Sequence, residues 1–381
     1  MTGRRYRHGL VIGKFYPPHR GHHFLIDAAA DDCARVTVVV AGSAAESIPV
    51  NHRVAWVAET HREQPQVRVV GAADDHPIDY DDDDVWAAHV GVFRAAVARA
   101  AVLDGVPGHA AVDAVFSSEP YGDELARRFG ATSVIVDAAR ITHPCSSTEV
   151  RAGVDARWAD LAPATRRGLA LRVVFVGAES TGTTTVSRAV ADRLGTSWVP
   201  EYGRDHTIGL LEATTVQAAS IGALRPTMDD LPWCTEDFVA IAERQVALED
   251  EAAAVCAGGV VICDTDAFAT GIWHERYLGT RSVEVDRWAE ARPHPLYLVT
   301  SHVGVPFEQD GIRDGEHLRA WMTERFVDEL TSTGRTWRML EGPVDQRVDD
   351  ALAAIDELRR TAPAWRFRDP LQPRTREVVA P

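Results

Sequence analysis

Strands buried inside a parallel sheet read as short unbroken apolar runs, and the helices that cross between them place apolar residues three and four positions apart. Two such runs begin at Leu10 and at Leu171, each followed by a loop of glycine and small polar residues and then by a helical pattern. Each opens an α/β domain. In the first, the pattern predicts a strand over Gly9–Gly13, a helix over His22–Ala34 and a strand over Val36–Ala41, with further short strands at Val112–Phe116 and Ser133–Val136. In the second, Leu171–Val176, Val260–Cys263 and Leu296–Thr300 are the strands. The pattern lapses between Arg151 and Arg167, around Pro163, so domains are expected at 8–155 and 171–361 with a linker at 156–170. After Arg360 the chain turns to Pro, Arg and Glu, and residues 362–381 are expected to be a poorly ordered tail. The acidic run Asp81–Asp84 reads as a solvated loop.

Composition narrows this picture. A chain of 381 residues exceeds what one hydrophobic core usually organises, and 45% hydrophobic with 25% charged residues is the balance of an ordinary globular protein. A formal net charge of −16 argues against broad nucleic-acid binding, which depends on Lys and Arg neutralising phosphates. It leaves room for a small anionic ligand held by local geometry. Cys33, Cys145, Cys234, Cys256 and Cys263 are scattered, with neither CxxC pairs nor zinc spacing, and read as reduced thiols. The basic first residues lead into an apolar stretch broken by Lys14, Pro17 and Pro18, so no signal peptide is expected. Without an unbroken apolar run of about 20 residues, a cytoplasmic protein with no membrane partner is expected.

The first chemistry-bearing segment is Gly-Lys-Phe-Tyr-Pro-Pro-His-Arg-Gly-His, residues 13 to 22, between the first strand and its helix. An α/β fold presents backbone amides and the positive end of a helix dipole to phosphate at this place. Gly13, Phe15 and Gly21 are expected in the ATP-phosphate site, Gly21 letting the backbone approach a ligand, and His19 and His22 can donate to phosphate oxygens beside Lys14. A second phosphate-type turn, Ser146-Ser147-Thr148-Glu149-Val150-Arg151, puts hydroxyls at a helix start and an arginine one turn on. Either segment alone would read as a helix cap. Together they suit adenylyl transfer, in which a phosphate attacks the α-phosphorus of ATP and the protein mainly positions groups and balances charge, with Mg²⁺ as cofactor.

In the second domain Gly177-Ala178-Glu179-Ser180-Thr181-Gly182-Thr183-Thr184 has the spacing of a P-loop, G-x-x-x-x-G-K-[ST]. Gly177, Gly182 and the intervening amides would cradle phosphates, and Thr184 keeps the hydroxyl expected on Mg²⁺. Thr183 stands where the lysine belongs. A lost charged contact costs about 1.5 to 3 kcal/mol, or roughly tenfold to a hundredfold in rate, unless another cation such as Arg188 or Arg204 substitutes.

These segments resemble the NadR family of bifunctional nicotinamide mononucleotide adenylyltransferases and ribosylnicotinamide kinases. The family motif G-K-F-Y-P-x-H-x-G-H matches residues 13 to 22 and S-S/A-T-x-I/V-R matches Ser146–Arg151, with Cys145 where Ile or Val is common. Phe116-Ser117-Ser118-Glu119-Pro120-Tyr121 resembles the F-S-S-E-P segment of the mononucleotide pocket, which implies substrate-binding roles for Ser117, Ser118 and Glu119. Arg53 and Trp56 resemble the R-x-x-W helix. Trp86 is a candidate face for the nicotinamide ring, with core packing its equal alternative. The resemblance continues through Glu201-Tyr202-Gly203-Arg204, Asp264-Thr265-Asp266 and Asp310-Gly311-Ile312-Arg313. It implies Tyr202 and Arg204 near the riboside, Asp264 and Asp266 toward Mg²⁺, Arg313 on a lid over the phosphoryl group, and Glu201 as base with Asp266 the second candidate.

The resemblance implies a fold of an HxGH nucleotidyltransferase, Rossmann-like domain followed by a P-loop kinase-like α/β domain. It implies ATP, nicotinamide mononucleotide and nicotinamide riboside as small-molecule partners, no nucleic acid, and assembly into homo-oligomers. Some members carry an N-terminal helix-turn-helix; here the first strand begins within ten residues of Met1, so no DNA-binding role is expected. Two rivals stand beside this reading. The front half could serve another phosphorylated acceptor, such as phosphopantetheine or glycerol phosphate, and the P-loop half could be a weak, nucleotide-sensing or structural module.

Overall fold

The computed structural model describes residues 4–79, 81–292, 294–310 and 313–368. The chain divides into two compact units, Met1–Leu169 together with Pro363–Pro381, and Ala170–Ala362. Each is an α/β unit around a five-stranded sheet, every strand pair parallel.

Unit 1 runs β1 (Tyr6–Gly13), α1 (Arg20–Asp32), β2 (Cys33–Gly42), α2 (Val50–Thr60), β3 (Val67–Ala73), α3 (Asp83–Leu103), β4 (Ala114–Ser117), α4 (Tyr121–Phe129), β5 (Thr132–Ile135), α5 (Ser147–Ala152) and α6 (Pro163–Leu169). The strand order is β3-β2-β1-β4-β5. Successive residues of β1 serve opposite faces, as the pleat requires. Leu10 and Ile12 join the core with Trp86, Val90 and Phe93 of α3, and Val11 joins the core with Leu25 and Ile26 of α1. Both faces being covered, the strand reads as a continuous apolar run. The order reverses between β1 and β4, and a crevice opens beyond the carboxyl ends of strands at such a reversal.

Most of the expected linker belongs to unit 1. Its α6 packs on α2 so closely that a Cβ on Gly168 would lie 2.1 Å from the Trp56 ring, and Arg167 pairs with Glu59. Trp56 is a packing residue here. The described part of the expected tail is also structured. Trp365 lies against Trp158 and donates to the Leu169 carbonyl at 2.9 Å, Phe367 meets Tyr16 edge-on, and the Tyr16 hydroxyl donates to the Arg368 carbonyl at 2.8 Å. Two large aromatics in a polar stretch were the signal for this return; residues 369–381 lie outside the described residues. Among the described residues α3 is the one helix long and apolar enough to cross a membrane, and its apolar side is used in the sheet core.

Unit 2 runs β6 (Leu171–Gly177), α7 (Thr183–Leu194), β7 (Trp198–Val199), α8 (Tyr202–Ser220), α9 (Thr235–Val255), β8 (Val260–Asp264), α10 (Ala267–Leu278), α11 (Val283–Ala291), β9 (Leu296–Thr300), α12 (Arg319–Ser332), β10 (Trp337–Leu340) and α13 (Val344–Thr361). Its order is β10-β9-β6-β8-β7. The strands that the apolar pattern did not announce, β3, β7 and β10, are three of the four sheet edges, where burial on both faces is incomplete.

Candidate functional site

In unit 1 a cavity of about 710 Å³ opens where β1 ends and α1 begins. It takes Gly13, Lys14, Phe15, His19, Gly21 and His22 from the first motif, and Ser146, Ser147, Thr148 and Arg151 from the second. Segments some 125 residues apart in sequence thus share one wall. Arg151 ties them directly, donating to the Tyr16 carbonyl at 2.9 Å.

His19 is the N-cap of α1. Its Nδ1 accepts from the Gly21 amide at 3.2 Å, and His22 Nδ1 accepts from the His19 amide at 3.3 Å. An Nδ1 that accepts carries no proton, so each neutral ring holds its proton on Nε2, the edge turned away from the helix backbone. The rings stack at 3.8 Å, and Phe15, at a positive φ of 48°, lies against His22 at 4.8 Å. Burial and the neighbouring arginines push His19 down to about 4, and burial beside His19 and His23 pushes His22 well below the ordinary imidazole range. Capping and ligand donation are therefore compatible: Nδ1 does the first and leaves Nε2–H for the second. A Cβ on Gly21 would crowd the His19 ring at 3.1 Å, which accounts for the glycine.

Lys14 is held by Glu46 at 3.3 Å, and the fully buried Arg53 bonds both Glu46, at 2.7 Å, and the Lys14 carbonyl, at 2.7 Å. Arg53 therefore braces the phosphate loop rather than facing the cavity. Ser146 is committed to a capping box with Glu149, leaving Ser147 and Thr148 as the hydroxyls available at α5. Ser117 does not line the cavity; its hydroxyl closes a turn with the backbone of Glu119, while Ser118 and Glu119 do line it. Glu119 pairs with Arg140. Trp86 both enters the α3 core and lines the cavity, so packing and ring contact are one arrangement. Asp74, His76, His89, Arg140 and His143 are lining residues that the sequence did not point to.

In unit 2 a cavity of about 520 Å³ lies over the turn from β6 to α7. Ser180, at φ +58°, and Gly182, at φ +82°, curl the loop into a nest of amides. A Cβ on Gly177 would lie 2.2 Å from the Thr300 hydroxyl. The Thr183 hydroxyl turns inward to Thr181 at 3.1 Å and Thr300 at 2.9 Å, so the lysine position supplies structure and no charge. Positive charge arrives from below. Arg319 donates to the Ser180 carbonyl at 3.0 Å, and the buried Arg347 donates to the carbonyls of Thr181 at 2.9 Å, Ser301 at 3.0 Å and Gly342 at 2.8 Å. Among the described residues neither guanidinium pairs with a carboxylate at ion-pair distance. In a trans peptide the N–H points opposite to the C=O. Anchoring the Ser180 and Thr181 carbonyls below thus aims the amides of Thr181 and Gly182 toward the phosphate side. Arg188, one suggested substitute for the lysine, instead lies over the Trp198 ring, outside the cavity lining.

The Thr184 hydroxyl donates to Asp264 at 2.6 Å, and burial pushes that carboxyl up to about 6. A P-loop hydroxyl touching a buried carboxylate at a strand end is a donor set that fits Mg²⁺. Glu201 lines the same cavity, and burial, with Asp264 nearby, pushes it up to about 8. Asp266 is not part of this set. It caps α10, accepts from the Tyr297 hydroxyl at 2.7 Å and faces His294, fully buried away from the cavity. Tyr202 also falls outside the lining, its amide bonded to Gln245. Arg204 and Arg313 line the cavity and both meet Asp310; Gly311 and Ile312 lie outside the described residues.

Residues 172–347 match the family model described as AAA domain. The trifunctional NAD biosynthesis/regulator proteins NadR of Escherichia coli and Salmonella typhimurium are each 23% identical to the chain, over 80% of its length and 71% of theirs. Among solved structures, a NadR protein in complex with NR superposes at a TM-score of 0.67, with 19% identity over 93% of this chain and 96% of that one. The similarity to NadR proteins therefore runs through most of the chain. A second NadR structure, in complex with NAD and AMP-PNP, superposes at 0.65, also with 19% identity, over 94% of this chain and 98% of that one. The likeness is one of fold and takes in most of both units, while Thr183 departs from the P-loop pattern.

Proposed function

We propose that unit 1 transfers AMP from ATP to nicotinamide mononucleotide, giving NAD and pyrophosphate, and that unit 2 uses ATP to phosphorylate nicotinamide riboside, so that the chain serves NAD biosynthesis in the cytoplasm. The observation that carries the first activity is the meeting of two Nε2–H imidazoles with the Ser147–Arg151 turn around one cavity. An oxygen of the mononucleotide phosphate attacks the α-phosphorus of ATP as the bond to pyrophosphate breaks. His19 and His22 donate hydrogen bonds where negative charge gathers, and neutral imidazoles do this without exchanging a proton. Lys14 and Arg151 balance the charge of the departing pyrophosphate. Trp86, Ser118 and Glu119 line the part of the cavity assigned to the acceptor.

In unit 2 the nest of Thr181 and Gly182 amides, polarised by Arg319 and Arg347, would hold the ATP phosphates. Thr184 and Asp264 would hold Mg²⁺, whose chemistry there would be neutralisation of phosphate charge. Glu201 is suited to take the proton of the riboside hydroxyl, since a carboxylate raised toward neutrality is the better base. The inward Thr183 favours a second reading, in which unit 2 binds nucleotide without transferring phosphate. The test is the full chain with ATP and Mg²⁺, offered nicotinamide mononucleotide, nicotinic acid mononucleotide, nicotinamide riboside and phosphopantetheine. Dinucleotide from a pyridine mononucleotide supports the first activity, and dephospho-coenzyme A in its place overturns it. Mononucleotide formed from riboside separates the kinase from the sensor.

A further inference from the structure

Asp74 follows the end of β3, His76 stands two residues on, and His89 lies in the second turn of α3. One ligand atom from each lies within 4.8 Å of the others, in the wall of the unit 1 cavity, and the proposed adenylyl transfer uses none of them. Asp74 is 7% exposed and is met on both carboxylate oxygens: Oδ1 by His76 Nδ1 at 2.9 Å, Oδ2 by His89 Nδ1 at 2.6 Å. His89 Nε2 lies 3.0 Å from the Pro77 carbonyl. A carbonyl only accepts, so Nε2 carries a proton, and the neutral ring then presents a bare Nδ1 lone pair to a carboxylate oxygen. Two acceptors at that separation require positive charge on or between them, which is either a second ring proton or a metal ion.

Three features favour the ion. The two rings are roughly perpendicular, 5.6 Å apart, so that both Nδ1 atoms converge on one carboxylate. The Pro77 carbonyl on the far nitrogen of His89 is the partner that metal-bound histidines usually have, and it sets the ligating tautomer. The cavity leaves a side of the cluster open for a fourth ligand.

We infer that Asp74, His76 and His89 bind one divalent transition ion of the zinc, cobalt and nickel class, with water or a ligand oxygen in the position facing the cavity. Two imidazoles and one carboxylate suit such ions, whereas Mg²⁺ and Ca²⁺ prefer oxygen alone. Binding of the ion is independent of the proposed function. The cluster shares its cavity with Trp86, and if that function holds the carboxamide oxygen of the acceptor could take the open position.

The test uses the full chain, stripped with chelator and titrated with Co²⁺, followed by its visible d–d bands and by calorimetry. One equivalent should bind with a tetrahedral or five-coordinate spectrum. His76→Ala and His89→Ala should each weaken it about 10- to 100-fold or more, and the exposed His52→Ala should leave it unchanged. His76 is half-exposed, so its removal is compatible with folding, which circular dichroism checks. Absence of the bands and of binding heat, or retention of both in His76→Ala and His89→Ala, overturns the site and leaves a proton-bridged Asp–His pair.

Discussion

Replacing Arg347 by methionine tests whether the lysine missing from the P-loop is supplied from beneath it. The guanidinium lies 2.9 Å from the Thr181 carbonyl, on the opposite side of that peptide from the Gly182 amide. Adding a carbonyl-to-nitrogen span and one hydrogen bond puts its charge roughly 8 Å from a phosphate oxygen in the nest. At an effective dielectric of about 20, one unit of charge at that distance contributes about 2 kcal/mol, or roughly thirtyfold in affinity. The substitution also strands three buried carbonyls. It should therefore cost several kcal/mol of stability as well, at up to about 3 kcal/mol for each charged hydrogen bond. The assay is ATP or AMP-PNP binding to the full chain, with circular dichroism and adenylyl transfer as checks on folding. Arg347→Lys should keep most of the affinity because it keeps the charge. Thr183→Lys placed in the Arg347→Met background should restore binding and leave the stability loss in place. A folded Arg347→Met protein whose affinity stays within threefold of the parent would refute the reasoning.

Three further outcomes are expected. His22→Ala should lower kcat for dinucleotide formation by about 10²- to 10³-fold, as losing one positioned donor usually does, while KM for ATP changes less; unaltered synthesis would remove the imidazole pair from the mechanism. His19, His22 and His23 all have folded-state pKa values below the unfolded value of about 6.5, with His19 near 4 and His23 near 3. Their stabilising contribution is complete above pH 6.5 and is lost as the pH falls toward the folded values, at up to about 1.4 kcal/mol per pH unit for each ring. Urea unfolding midpoints of unit 1 should therefore drop between pH 6.5 and 5, above the range where most carboxylates titrate, and a flat profile there would contradict the burial. Glu201 should give riboside phosphorylation an acid limb, kcat/KM rising with pH through about 8, and Glu201→Gln should lower the rate and flatten that limb. A limb that survives in Glu201→Gln assigns the titration to another group.

The sequence by itself determined most strands of both sheets and the places where phosphate would meet them. Apolar runs such as Leu171–Val176 are buried on both faces, and the turns at 13–22 and 177–185 present amides through local backbone geometry, so short stretches of chain carry that information. The two histidines could be assigned a site from spacing, whereas their tautomer depended on which amides their Nδ1 atoms reached in the folded helix. Tertiary structure alone decided which charged groups face ligand and which brace the fold. Asp264 and Asp266 are two residues apart, yet one meets Thr184 beside a cavity and the other disappears under α10 with Tyr297. Arg347 reaches Thr181 across 166 positions, and Arg368 reaches Tyr16 across 352. Contacts of that range follow from how sheets and helices close on one another, and no periodicity in the chain records them.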